Sequence, residues 1–136
     1  MTTKLPIRDA MMKKRLRKMK TFLEEDFRPP VVSGDAGADI ALVGWGTTKG
    51  VIQESAERLR GQNHRVGTVH FQDVWPLRAE SVSMIAALAP NIFVIEGNET
   101  GQFAFLLRAK AAEVGVVLGN LRSITSCQGR PFEPRR

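Results

Sequence analysis

The chain has 136 residues, enough for one compact domain and too few for two well-filled cores. Hydrophobic residues make up 43% and charged residues 25%, an ordinary soluble globular composition. No apolar run reaches the ~18 residues of a membrane span, and the N-terminus lacks the apolar core of a secretory signal. The single cysteine, Cys127, excludes an internal disulfide and cannot supply the thiolate set of an iron–sulfur cluster, so a reduced, cytoplasmic setting is expected.

The net charge of +6 is unevenly spread. Residues 1–20 hold eight basic side chains and one acid, Asp9, which puts +7 in this segment and leaves −1 for the rest. The pI of 10.1 therefore belongs to an N-terminal arm. In that arm Ile7, Met11, Leu16, Met19 and Leu23 recur at steps of three to five, which reads as one apolar stripe on a basic amphipathic helix. Its expected state is a packed stripe with a solvated basic face. Arg28-Pro29-Pro30 ends the helix, because proline disfavours the helical state in the residue before it. Val31-Val32 reads as a short edge strand, and 34–37 as a turn.

From there strand and helix patterns alternate. Residues 38–46 form a short apolar run, a buried strand. Residues 48–62 carry Val51, Ile52, Ala56 and Leu59 on one face of a helix, with Gly61 as its stop. Residues 65–71 are β-branched and apolar, a second strand. Residues 76–90 read as a helix opened by Pro76 and stopped by Pro90. Residues 91–98 are a third strand, 101–115 a third helix closed by Gly115, and 121–127 a fourth strand before the turn 128–134. This alternation predicts an α/β fold with a mostly parallel sheet and helices on both faces. The arm, 1–30, precedes a globular body, 31–136.

Two loops attract a functional reading. Gly44-Trp45-Gly46-Thr47-Thr48-Lys49-Gly50 follows the first long strand and opens a helix. Its third glycine falls one place too late for a dinucleotide fingerprint, and it has Lys-Gly where a P-loop needs Gly-Lys. What remains is a helix start that favours an anion, or a structural turn in which Thr47 or Thr48 caps the helix. Residues 96–101 close the third strand. In a parallel sheet Glu96, Asn98 and Glu99 fall at the carboxyl edge, where α/β ligands bind. The plain alternative is a turn in which Gly97 and Asn98 adopt positive φ and Thr100 caps the next helix. Trp45 and Trp75 are expected to pack or to meet a partner. His64 and His70 lack companions at metal-ligand spacing, and Cys127 is expected to be a buried or half-buried inert thiol. The basic arm admits nucleic-acid binding, but no aromatics interleave with its cations and no recognised motif follows.

In order along the chain, "ADIALVGWGTTKG", "VHFQDVWP", "IEGNETGQFAFLLR" and "GRPF" resemble the C-terminal domain of the alpha subunit of 2-oxoacid:ferredoxin oxidoreductases, most closely the 2-oxoglutarate branch. "MMKKRLRKMKTF" resembles the helix joining that domain to a pyrimidine-binding domain. The resemblance implies a transketolase C-terminal-like three-layer α/β/α unit of about five strands, with Val31-Val32 as an antiparallel edge and 121–127 as the last strand. It implies an enzyme that converts a 2-oxoacid and coenzyme A to acyl-CoA and CO2, using thiamine diphosphate, Mg2+ and iron–sulfur clusters and reducing ferredoxin. The domain's implied role is packing against the other alpha-subunit domains and the beta subunit. The resemblance assigns this chain no catalytic, cofactor-binding or metal-binding residue, and no activity alone. On this alignment Met1 falls inside a linker, as in an excised piece or a separately encoded short subunit.

Overall fold

The computed structural model describes residues 5–34 and 37–127. The turn read at 128–134 and the "GRPF" block lie outside the described residues.

Helix α1 spans Leu5–Thr21 and continues as a π-helical turn, Phe22–Asp26. The chain turns extended at Phe27, as the Pro29-Pro30 pair requires. Two departures from the sequence reading appear here. No α1 residue is buried, so the arm has no packed stripe. Nor do its apolar residues form one line. At 100° per residue, Leu5, Met12, Leu16 and Met19 fall within an arc of about 60°, whereas Met11 and Ile7 lie about 80° and about 120° beyond its edge. Contact with the rest of the chain begins after the helix. The rings of Phe22 and Phe27 meet edge-on at 6.2 Å, the Arg78 guanidinium sits 5.4 Å over the Phe27 ring, and the Arg28 N–H donates to Asp73 at 2.8 Å.

The body is one five-stranded sheet, β1 (Val31–Gly34), β2 (Ile40–Trp45), β3 (Val66–Phe71), β4 (Asn91–Glu96) and β5 (Asn120–Thr125), in the order β1-β3-β2-β4-β5. Only β1 runs antiparallel, with Val31 opposite His70. The other pairs are parallel, as the βα alternation demands. Helix α2 (Lys49–Gly61) packs Ile52 and Ala56 on one face of the sheet against Leu42, Val66 and Ile95. Helices α3 (Ala79–Leu88) and α4 (Gln102–Glu113) pack Val82, Ile85, Phe103 and Leu107 on the other, against Val43, Val69, Ile92 and Val94. The central strands are covered on both sides, which is why β2 and β4 read as continuous apolar runs. The α/β/α layering matches the sequence expectation.

Several element ends differ from that reading. Helix α3 begins at Ala79, so Pro76 lies outside it. The left-handed residue after α2 is Asn63, at φ 66°, rather than Gly61. His64 N–H then reaches back to the Leu59 carbonyl at 3.1 Å and closes the helix end. Gly115, at φ 69°, closes α4 in the same way, with Val116 N–H on Ala111 O at 2.9 Å. Cys127 is exposed and not a buried thiol. Among the described residues no helix is long and apolar enough to cross a membrane.

Candidate functional site

Strands β2 and β4 are parallel neighbours, and the chain leaves them in opposite directions: from β2 toward β3, from β4 toward β5. A common crossover hand then places α2 on one face and α4 on the other. Between the two carboxyl ends lies a switch point of the kind where α/β sheets bind ligands. The two loops singled out in the sequence meet there. They flank a cleft of about 280 Å³ bounded by Trp45, Thr47 and Thr48 from one side and Gly97, Asn98 and Gln102 from the other.

The β2 side is a tight turn fixed by local contacts. At Gly44 there is no room for a side chain: a Cβ there would collide with Ile52 and the Thr48 hydroxyl. Gly46 takes φ 59°, which favours glycine. The Thr48 hydroxyl accepts the Trp45 N–H at 3.0 Å and donates to the Trp45 carbonyl at 2.8 Å, closing the 3-10 turn Gly46–Thr48. It does not cap α2, contrary to the sequence expectation for Thr47 or Thr48. His70 Nε2 lies 3.1 Å from the Gly46 carbonyl, in position to donate to it. Trp45 leans on Phe103 at 6.5 Å and keeps 37% of its surface exposed. Trp75 is 60% exposed and Lys49 is exposed outside the cleft.

The β4 side is organised by one residue. Glu96 is wholly buried at the end of β4 and faces α4. Its carboxylate accepts the backbone N–H groups of Phe103 at 2.7 Å and Ala104 at 3.0 Å, the Asn98 amide at 2.8 Å and the Ser123 hydroxyl at 3.2 Å. Asn98 Oδ1 accepts the N–H groups of Gly101 at 2.8 Å and Gln102 at 3.3 Å. The orphan amides at the start of α4 thus all have partners within the chain, and the carboxylate sits at the positive end of the helix dipole. Gly101, at φ 64°, carries the left-handed bend expected of Gly97 or Asn98, and no side chain at Thr100 caps α4. Glu99 is exposed and does not line the cleft.

Sequence reasoning placed Glu96 at the correct edge but missed its role. The signal was present: a charged residue ends a strand at a position in phase with the buried Ile92 and Val94. Among the described residues no buried side-chain polar atom lacks a hydrogen-bond partner, and no group of three or more His, Cys, Asp or Glu is placed to hold a metal. Away from the cleft, Arg65 grips Asp39 through two bonds at 2.6 and 3.1 Å, and this hydrogen bonding holds the Asp39 carboxyl below its ordinary range.

A mixed five-stranded sheet with one antiparallel edge, helices on both faces and a self-capped switch point defines a transketolase C-terminal-like α/β domain. A split-gene transketolase, solved as an inactive beta4 tetramer, superposes with a TM-score of 0.62 over 73% of this chain and 33% of its own, at 18% identity. The 2-oxoglutarate:ferredoxin oxidoreductase of Magnetococcus marinus, solved with 2-oxoglutarate, coenzyme A and succinyl-CoA bound, superposes at 0.73 over 96% of this chain and 22% of its own, at 24% identity. No family model matches the chain. The alpha subunit of 2-oxoacid:ferredoxin oxidoreductase 2 from Aeropyrum pernix is 33% identical over 128 residues, which are 93% of this chain and 19% of that one. Subunit KorA of the Mycobacterium tuberculosis 2-oxoglutarate oxidoreductase is 28% identical over 124 residues, 91% of this chain and 18% of KorA. The chain belongs to the family of 2-oxoacid:ferredoxin oxidoreductase alpha subunits, and it spans about a fifth of the length of the relatives it matches.

Proposed function

We propose that this chain is the C-terminal, non-catalytic packing domain of the alpha subunit of a thiamine-diphosphate-dependent 2-oxoacid:ferredoxin oxidoreductase, with 2-oxoglutarate as the favoured 2-oxoacid and the cytoplasm as its compartment. Residues 1–30 act as the attaching arm and 31–136 as the packing body. The observation that carries this reading is the α4 end of the switch point. A ligand phosphate would need the amides that Glu96 and Asn98 already hold. An anion in this cleft would find no open amide at α4, so the anion-binding alternative rests on the Thr47-Thr48-Lys49 helix start by itself.

The chain's residues do not fit the family's cofactors. It has one cysteine for iron–sulfur clusters, no Gly-Asp-Gly…Asn stretch for a magnesium–diphosphate site, and no metal-ligand cluster among the described residues. On this reading the pyrimidine-binding part and the beta subunit would hold thiamine diphosphate, Mg2+ and clusters and pass electrons to ferredoxin. Reconstitution tests the reading. The chain alone, given 2-oxoglutarate, coenzyme A and a low-potential dye, should reduce no dye. Co-expressed with the remaining alpha-subunit polypeptide and the beta subunit, it should be required for coenzyme-A-dependent reduction. Turnover by the chain alone, or full activity of the other polypeptides without it, overturns the proposal.

A further inference from the structure

We propose that α1 is a docking helix for an apolar helical seam flanked by carboxylates on a partner polypeptide. The helix carries no buried residue along its whole length, whereas most helical stability in proteins comes from packing an apolar face. Its apolar residues are not scattered. Leu5, Met12, Leu16 and Met19 follow the spacing of a coiled-coil seam, interrupted at Asp9, and Leu5 and Leu16 are 77% and 66% exposed. The charged positions bordering that seam are Arg8 and Arg15 on one side and Lys13 and Lys20 on the other, with the Asp9 carboxylate held by Lys13.

Those borders decide what can cover the seam. A second copy would bring arginine and lysine against arginine and lysine, which is unfavourable. A seam bordered by glutamate or aspartate would meet the same cations with opposite charge. Lys13 pairs with Asp9 at 2.8 Å and Lys20 with Glu24 at 3.8 Å, but these pairs are solvent-exposed and weak, so an incoming carboxylate can replace them. Ile7 and Met11 lie on another side of the helix, so the apolar surface is a narrow seam and not the broad face that an anionic membrane surface takes. That this partner belongs to the same oxidoreductase rests on the function proposed above; the chemistry of the seam does not.

Fluorescence anisotropy with two labelled synthetic helices tests the inference on the full chain. Both helices carry the same leucine seam, one bordered by glutamate and the other by lysine. The glutamate helix should bind at least roughly tenfold more tightly than the lysine helix at low salt, and the preference should shrink as salt rises. The triple variant Lys13→Glu, Arg15→Glu, Lys20→Glu should reverse the preference. The variant Met12→Gln, Leu16→Gln should lose both helices while melting at the parent's temperature, because neither side chain is buried. Equal binding of the two helices, or binding of neither, overturns the inference. So does tighter binding to phosphatidylserine vesicles or duplex DNA, or a dimer of the chain that Leu16→Gln dissolves. Each of these outcomes leaves the reconstitution assay standing as a separate test of the proposed function.

Discussion

Replacing Glu96 by alanine removes a side chain whose hydrogen bonds link β4, α4 and β5. Four donors lose their acceptor: the amides of Phe103 and Ala104, the Asn98 side chain and the Ser123 hydroxyl. The last two are only partly buried and turn to water at little cost. The two amides are buried, and each costs about 1–3 kcal/mol when left unsatisfied. Loss of a carboxylate from a helix N-terminus adds about 0.5–1 kcal/mol. The sum is roughly 2.5–7 kcal/mol, reduced toward the lower figure if a water enters the space. At about 3–5 °C per kcal/mol for a chain of this size, the melting temperature should fall by about 8 °C at the least and by about 35 °C at the most. Glu96→Gln should lie between, at about 2 kcal/mol, because its amide group sets a donor against a donor. Thermal unfolding followed by far-ultraviolet circular dichroism measures both, with the exposed Glu99→Ala as control, expected within about 0.5 kcal/mol. A Glu96→Ala protein that melts within about 2 °C of the parent would refute the claim that this carboxylate holds the start of α4.

Three other outcomes follow from the packing and charges. Gly44→Val should destabilise the chain by about 1–3 kcal/mol in urea titration, since its side chain enters the space of Ile52 and Thr48. Leu107→Ala, at a wholly buried position between α4 and the sheet, should cost about 2–5 kcal/mol, whereas Met12→Ala on exposed α1 should stay within about 0.5. Asp39 has a folded-state pKa below its ordinary 3.8, because of its hydrogen bonds to Arg65. The stabilisation it contributes is therefore present above that ordinary value and is lost as pH falls through the lower, folded one. A carbon-13 titration of the Asp39 carboxyl should show a midpoint below 3.8 that rises toward it in Arg65→Ala; an unchanged midpoint contradicts the assignment of cause.

Much of the body was legible because its signals are local. Apolar runs such as 40–45 and 91–96, separated by helices with one apolar face, specify buried parallel strands almost independently of where each strand sits. Gly115 ends α4 for a reason that resides in its own backbone freedom. Capping was less legible. Thr47, Thr48 and Thr100 have the chemistry of caps, yet the hydroxyl of Thr48 closes its own turn. The amides of α4 go to Glu96, seven and eight residues back in the chain and on a different element. A side chain that reaches across a strand end has no fixed sequence offset, so only the packed structure reveals it. The arm shows the opposite failure. Its composition suggested one stripe, but the true helical phase separates Ile7 and Met11 from the Leu5–Met19 line.

The sequence alone determined the alternation of elements, the concentration of positive charge before residue 21 and, through four ordered blocks, the family. Periodicity and composition are properties of neighbouring residues, and they survive without knowledge of the fold. Tertiary structure alone decided that β2 and β4 lie side by side, that Glu96 fills the helix end an anion would need, and that α1 stands clear of the body. Each of these depends on which distant surfaces meet, and hydrogen-bond partners and burial are set by that meeting.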